Sequence, residues 1–106
     1  MEAALKAIAE PRRRQILTLV RDGELSAGEI AAHFDVTRPA ISQHLSVLKE
    51  AGLVSERRNG TRRLYQARPQ GLDELKTFLE GFWDERLGTL RREAERKEAR
   101  KRERSH

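Results

Sequence analysis

Apolar residues recur along this 106-residue chain at helical spacing, then briefly at strand spacing, then at helical spacing again. "MEAALKAIAE" sets Leu5 and Ile8 on one side of a short helix. Pro11 suits the first turn of a second helix, where its missing N–H is not needed. "PRRRQILTLVRDG" then carries Ile16, Leu17 and Val20 to a stop expected at Gly23. "SAGEIAAHFDV" opens with Ser26 as N-cap and Glu29 three residues on, a capping-box pattern, with Ile30 and Phe34 as its inward candidates. Thr37 is placed to cap "RPAISQHLSVLKEAG", in which Ile41, Leu45 and Leu48 repeat at i, i+4, i+7 and Gly52 ends the helix.

At "LVSERR" and "TRRLYQA" the spacing changes, and Asn59-Gly60 between them is a strong hairpin signal. A two-residue type I′ loop there sets Val54 opposite Tyr65 and Glu56 opposite Arg63. Pro69 and Gly71 are expected to break the chain before a long last helix, striped by Leu72, Leu75, Phe78, Leu79, Phe82, Trp83, Leu87 and Leu90. From Arg91 the stripe ends. The expected organisation is one domain over residues 1–90 and a basic charged extension over 91–106, either a solvated helix or disordered.

Charge sharpens this picture. Residues 37–68 hold seven basic and two acidic side chains, whereas residues 1–36 are slightly acidic and 69–106 slightly basic, so one third of the chain carries the whole net charge of +5. A localised basic patch is the footprint of a polyanion partner, with nucleic acid the default. There is no cysteine, hence no disulfide, thiolate metal site or cysteine nucleophile. No apolar run reaches the roughly 20 residues that span a bilayer, and the amino-terminal segment does not read as a signal peptide, so a cytoplasmic location is expected. The wide stripe on a chain only 37% apolar implies that a second copy completes the core.

Two short helices joined by a brief turn, the second exposing polar residues, form the helix-turn-helix layout, whose second helix enters the major groove of DNA. The exposed face offers Arg38, Ser42, Gln43, Ser46 and Lys49. Any amphipathic helix has a polar face, but here a basic hairpin follows at once, and that order makes a winged helix. In the two-residue register Arg57 lies opposite Arg62. A three- or four-residue loop opposes Arg58 to Arg62 or Arg63 instead, and like charges across strands are unfavourable. Phosphates that neutralise the arginines would compensate on binding. The competing reading is a hairpin charged for solubility and edge protection.

On these residues the chain resembles the ArsR/SmtB family of winged-helix repressors. "ALKAIAEPRRRQILTLV" is similar to the family's opening pattern, "SQHLSVLKEAGLV" to the most specific part of its helix-turn-helix, and "ERRNGTRRLYQA" to its wing, covering roughly residues 3 to 90. The resemblance implies a mainly α fold with a small β-hairpin, a winged helix-turn-helix in the order α-α-α-α-β-β-α, dimeric through its first and last helices. It implies that Ser42 and Gln43 read bases and that Arg38 lies near the entry to the groove. Ser26 would offer its hydroxyl and backbone N–H groups to phosphate, and Arg57, Arg58, Arg62 and Arg63 would contact the backbone or minor groove. Thr37, Pro39, His44 and Ser46 complete the expected DNA-facing set, His44 through a phosphate or a structural hydrogen bond. The implied dimer contacts are Leu5, Ile8, Leu75, Leu79, Phe82 and Trp83.

Where relatives that sense metals carry a cysteine pair, this chain has Ser26 and Gly28 in "ELSAGEI", and its last helix lacks the histidine of the second metal site. No metal and no cofactor is therefore expected. No nucleophile paired with a base and no phosphate-cradling glycine loop argues for an enzyme. The expected function is a sequence-specific regulator of transcription, a homodimeric repressor that occupies a pseudo-palindromic operator in double-stranded DNA. The alternative is a winged-helix module that binds another protein, and a small-molecule or protein effector is left open.

Overall fold

Glu10 and Pro11 separate two short helices in the computed structural model, which describes residues 1–82 and 94–96. Helix α1 (Glu2–Ala9) ends at Glu10, which leaves the helix in extended backbone, and its carboxylate accepts from Arg13 N to start α2 (Pro11–Leu19) with proline in the first turn. Helix α2 stops short of the expected Gly23, because the Val20 carbonyl turns away to accept Ala67 N at 2.9 Å. Gly23 does not take positive φ and caps nothing.

Strand β1 (Leu25–Ser26) is too short for any periodicity and was not expected. It leads directly into α3 (Ala27–Ala31), whose capping box is fully formed: Ser26 Oγ accepts from Glu29 N and Glu29 Oε1 from Ser26 N, both at 3.1 Å. Helix α4 (Arg38–Glu50) is capped by Thr37 Oγ1, which accepts from Ala40 N at 3.3 Å. It ends in a Schellman motif, with Leu53 N bonded to Leu48 O, Gly52 N to Lys49 O, and Gly52 at φ +76°.

Strands β2 (Val54–Asn59) and β3 (Arg62–Ala67) form the hairpin, and β1 adds to the far edge of β3, giving an antiparallel sheet of order β1-β3-β2. The register departs from the expected one by two residues. Val54 pairs with Ala67, Glu56 with Tyr65, Arg57 with Leu64, Arg58 with Arg63 and Asn59 with Arg62. The loop is therefore Gly60-Thr61. Only Gly60 has positive φ, at +68°, as a type II′ turn requires, so Asn59 is the last strand residue. Arg57 does not oppose Arg62; the like-charged pair is Arg58 and Arg63. Glu56 still meets Arg63, but diagonally, at 3.8 Å.

Ile16, Val20, Ile30, Ile41, Leu45, Leu48 and Leu53 are fully buried at the junction of α2, α3, α4 and β2. Pro69 and Gly71 do not precede the last helix but lie inside α5 (Pro69–Glu80). Pro69 occupies its first position, and Gly71 is there because a Cβ would sit 2.0 Å from Gly52 O.

The chain divides into two units, Met1–Leu75 and Lys76–His106. In the second, Phe78 and Phe82 stack edge to face with ring centroids 5.1 Å apart, and residues 94–96 are helical and exposed. Trp83, Leu87, Leu90 and most of the 91–106 extension lie outside the described residues. No described helix is long and apolar enough to cross a membrane.

Candidate nucleic-acid interface

Helix α4 has two faces of opposite character. Ile41, Leu45 and Leu48 anchor it in the core, so Arg38, Pro39, Ser42, Gln43, Ser46 and Lys49 are held outward at the complementary spacing. Burial of three large side chains on one stripe fixes the rotation of the helix, and with it the row offered to solvent. The wing rises beside this row. Between them lies a polar cleft of about 560 Å³, lined among others by Ser26, Arg38, Ser42, Lys49, Arg62 and Arg63. The Arg38 guanidinium lies over α3: a Cβ on Gly28 would meet its Nη2 at 3.4 Å.

The wing arginines are less uncompensated than their spacing implies. Arg57 Nε donates to Glu24 Oε2 at 2.7 Å, Arg62 bonds Glu29, and Glu56 lies between Lys49 at 3.3 Å and Arg63 at 3.8 Å. Arg58 has no carboxylate partner among the described residues. Hydrogen bonds from Ser26, backbone first, with a smaller contribution from the Arg62 guanidinium, hold the Glu29 carboxyl below its ordinary value. Burial, helped by the nearby Glu56 charge, pushes the Tyr65 phenol up.

Two residues of the expected DNA-facing set also make contacts within the chain. Ser26 N donates to Glu29 Oε1 and Ser26 Oγ accepts from Glu29 N, an arrangement that leaves the hydroxyl hydrogen free to donate where the side chain lines the cleft. His44 turns toward α2, half-buried, where its Nδ1 stands 3.4 Å from Arg13 Nη1. Thr37 is exposed but its hydroxyl oxygen serves the α4 cap.

Arg13 itself was not singled out by the sequence. Its Nε donates to Ala7 O at 2.7 Å and its Nη2 to Lys6 O at 3.1 Å, closing the open carbonyls of α1. One side chain thus joins the end of α1 to α2 and to α4. The charged run "PRRRQ" reads as a solvated face, and only the short break at Glu10-Pro11 hinted that an arginine would fold back.

Of the expected dimer residues, Leu5 and Ile8 are half-buried in the first unit, where Ala4 and Ala7 take the inward positions. Leu75 is already buried within its own chain at 6% exposure, which leaves it little surface for a partner. In the second unit Leu79 is half-buried and Phe82 is 68% exposed. Trp83 lies outside the described residues.

Residues 10–56 match the model of a family described as bacterial regulatory protein, arsR family. An HTH-type transcriptional regulator of Mycobacterium tuberculosis is 48% identical over 86 residues, covering 81% of this chain and 80% of that one. A transcriptional repressor of Bacillus subtilis is 47% identical over 60 residues, covering 57% of this chain and 67% of the repressor. A homodimeric winged helix-turn-helix DNA-binding domain from Mycobacterium bovis, a possible ArsR-family regulator, superposes with a TM-score of 0.64 at 35% identity, covering 81% of this chain and 80% of that domain. The match includes the capping box of α3, the whole of α4 and the first half of β2, and together with the 48% identical relative it shows that the chain belongs to the arsR family of bacterial regulatory proteins.

Proposed function

We propose that this protein is a homodimeric repressor that acts in the cytoplasm by occupying a pseudo-palindromic operator in double-stranded DNA, without catalysis and without a bound metal. The observation that carries this reading is the outward row Arg38, Ser42, Gln43 and Ser46 on a helix clamped to the core, beside a cleft flanked by Arg62 and Arg63. Ser42 and Gln43 are exposed at the centre of the row. Glutamine can bond two atoms of an adenine edge, and serine either base of a pair. Arg38, Lys49 and the wing arginines supply the phosphate contacts that set register and orientation.

The two-fold arrangement is supported by the homodimeric relative and by apolar surface left on each unit, Leu5 and Ile8 on one and Phe82 on the other. Two recognition helices related by a dyad would read half-sites about 10 base pairs apart, centre to centre.

Loss of base readers and loss of phosphate contacts have different signatures. Gln43→Ala with Ser42→Ala is expected to weaken binding to a selected operator about tenfold or more, since a good base contact discriminates by about 1–3 kcal/mol. Affinity for a random-sequence duplex is expected to stay the same. Fluorescence-anisotropy titrations of the two duplexes at one salt concentration measure this, and an unchanged ratio of affinities would remove both residues from the reading surface.

A further inference from the structure

The recognition helix and wing leave one feature unexplained: carboxylates where a DNA-binding surface should carry none. Glu24 lies just before β1 and Glu29 within α3, yet both reach the wing, 33 positions along the chain, to hold Arg57 and Arg62. Neither is buried, and the two guanidinium side chains are 58% and 56% exposed. Exposed ion pairs contribute about 0–1 kcal/mol, so these pairs are too weak to be the reason the wing folds. Arginine bound to phosphate makes the same charge-assisted, forked hydrogen bonds that it makes to carboxylate. Arg62 also lines the cleft between the wing and α4. An approaching phosphate would therefore compete for a group that Glu29 already occupies.

We infer that Glu24 and Glu29 are internal stand-ins for DNA phosphate, holding Arg57 and Arg62 while the protein is free and releasing them when a duplex docks against the wing. The inference rests on the DNA-binding reading and adds to it a pair of positioning residues. The carboxylates keep both arginines in the orientation a phosphate needs. They also lower sequence-indifferent affinity, because each released carboxylate recovers a cation from solution and cancels part of the counterion release that drives binding. Arg58, with no such partner among the described residues, is the internal contrast.

The test uses the full chain and a random-sequence duplex. Glu29→Gln is a clean variant because glutamine still accepts from Ser26 N in the capping box and only the charge is lost. Glu24→Gln makes no cap at all, so the Glu24 and Arg57 pair decides the matter if the α3 variant folds poorly. The Nε–Hε NMR signals of Arg57 and Arg62 are recorded with and without saturating duplex. In the free protein each signal is expected to differ between wild type and the matching glutamine variant; in the complex the two are expected to coincide. Each variant is expected to bind the duplex up to about fivefold tighter, the conversion of about 1 kcal/mol, with a salt slope steeper by up to about 0.9. Signals that still differ in the complex mean the ion pairs persist on DNA and overturn the inference, as does weaker binding by either variant. If the wild type binds no duplex, the parent reading fails and takes the inference with it, a result distinct from either of those.

Discussion

Replacing Arg58 and Arg63 together by glutamine is expected to cost about a hundredfold in DNA affinity while leaving the folded protein as stable as before or slightly more so. The two residues face each other across β2 and β3. Like charges directly opposed on a hairpin are unfavourable by a few tenths of a kcal/mol, about 0.2–1 at most. Arg63 recovers little of this from Glu56 at 3.8 Å, since both groups are in contact with water. Removing the charges should therefore leave the melting temperature unchanged or raise it. On DNA the balance reverses: a hydrogen bond to a charged group contributes about 1.5 kcal/mol or more, so two contacts amount to about a hundredfold. The slope of log affinity against log salt should flatten by about 2, one for each lost phosphate contact. Operator and random duplexes should be affected alike. An unchanged slope with unchanged affinity would mean that the wing tip does not touch the backbone, and a fall in stability would mean that the arginines serve the fold instead.

Gly71→Ala is expected to destabilise the protein by about 3 kcal/mol, at the upper end of what overpacking usually costs. In an ordinary helix position the same change would stabilise by about 1 kcal/mol, because alanine is the better helix former. Here the new methyl would sit 2.0 Å from Gly52 O and 2.9 Å from Gly52 C. Those are backbone atoms, and they cannot swing aside. Gly52 is itself held at φ +76° by the Schellman motif that ends α4, and the next residue, Leu53, is fully buried. Relief must come either from α5 moving off or from the end of the recognition helix shifting. Urea unfolding with an unchanged m-value and a lowered midpoint measures the effect. A midpoint at or above that of the wild type would show that α5 and the α4 end are not in contact.

The two glycines illustrate what the sequence does and does not disclose. Gly52 is legible because its neighbours end a helix, and a residue with positive φ is needed wherever a helix closes in this way. Gly71 reads as a breaker because its requirement is a contact with Gly52, 19 positions back, which local pattern does not record. The hairpin register fails for a related reason. Sliding one strand by two residues returns every side chain to the same face, so the alternation that locates the strands is indifferent to the choice. What decides it are bonds at the far end of the ladder, from Ala67 N to Val20 O and from Arg68 N to Leu53 O.

The recognition helix was legible nearly in full. Its cap, its buried stripe of Ile41, Leu45 and Leu48 and its exposed row all follow from one period, and the structure places each on the expected face. His44, one of the two roles open to it being a structural contact, is half-buried beside Arg13 from another helix. The carboxylates opposite the wing arginines were not legible. Glu24 and Glu29 meet Arg57 and Arg62 only after β1 has joined the sheet, and a two-residue strand leaves no pattern to find.

A dimer of this chain is expected to read a palindromic site. Selection of bound genomic fragments by the full chain at about 150 mM salt, where sequence-indifferent affinity is weak, puts this to the test, with stoichiometry measured on the best fragment. The selected sequence should be a pseudo-palindrome with half-sites about 10 base pairs apart, bound by two chains. Enrichment of no sequence, with binding that disappears as salt is raised, would rule out a sequence-reading dimer.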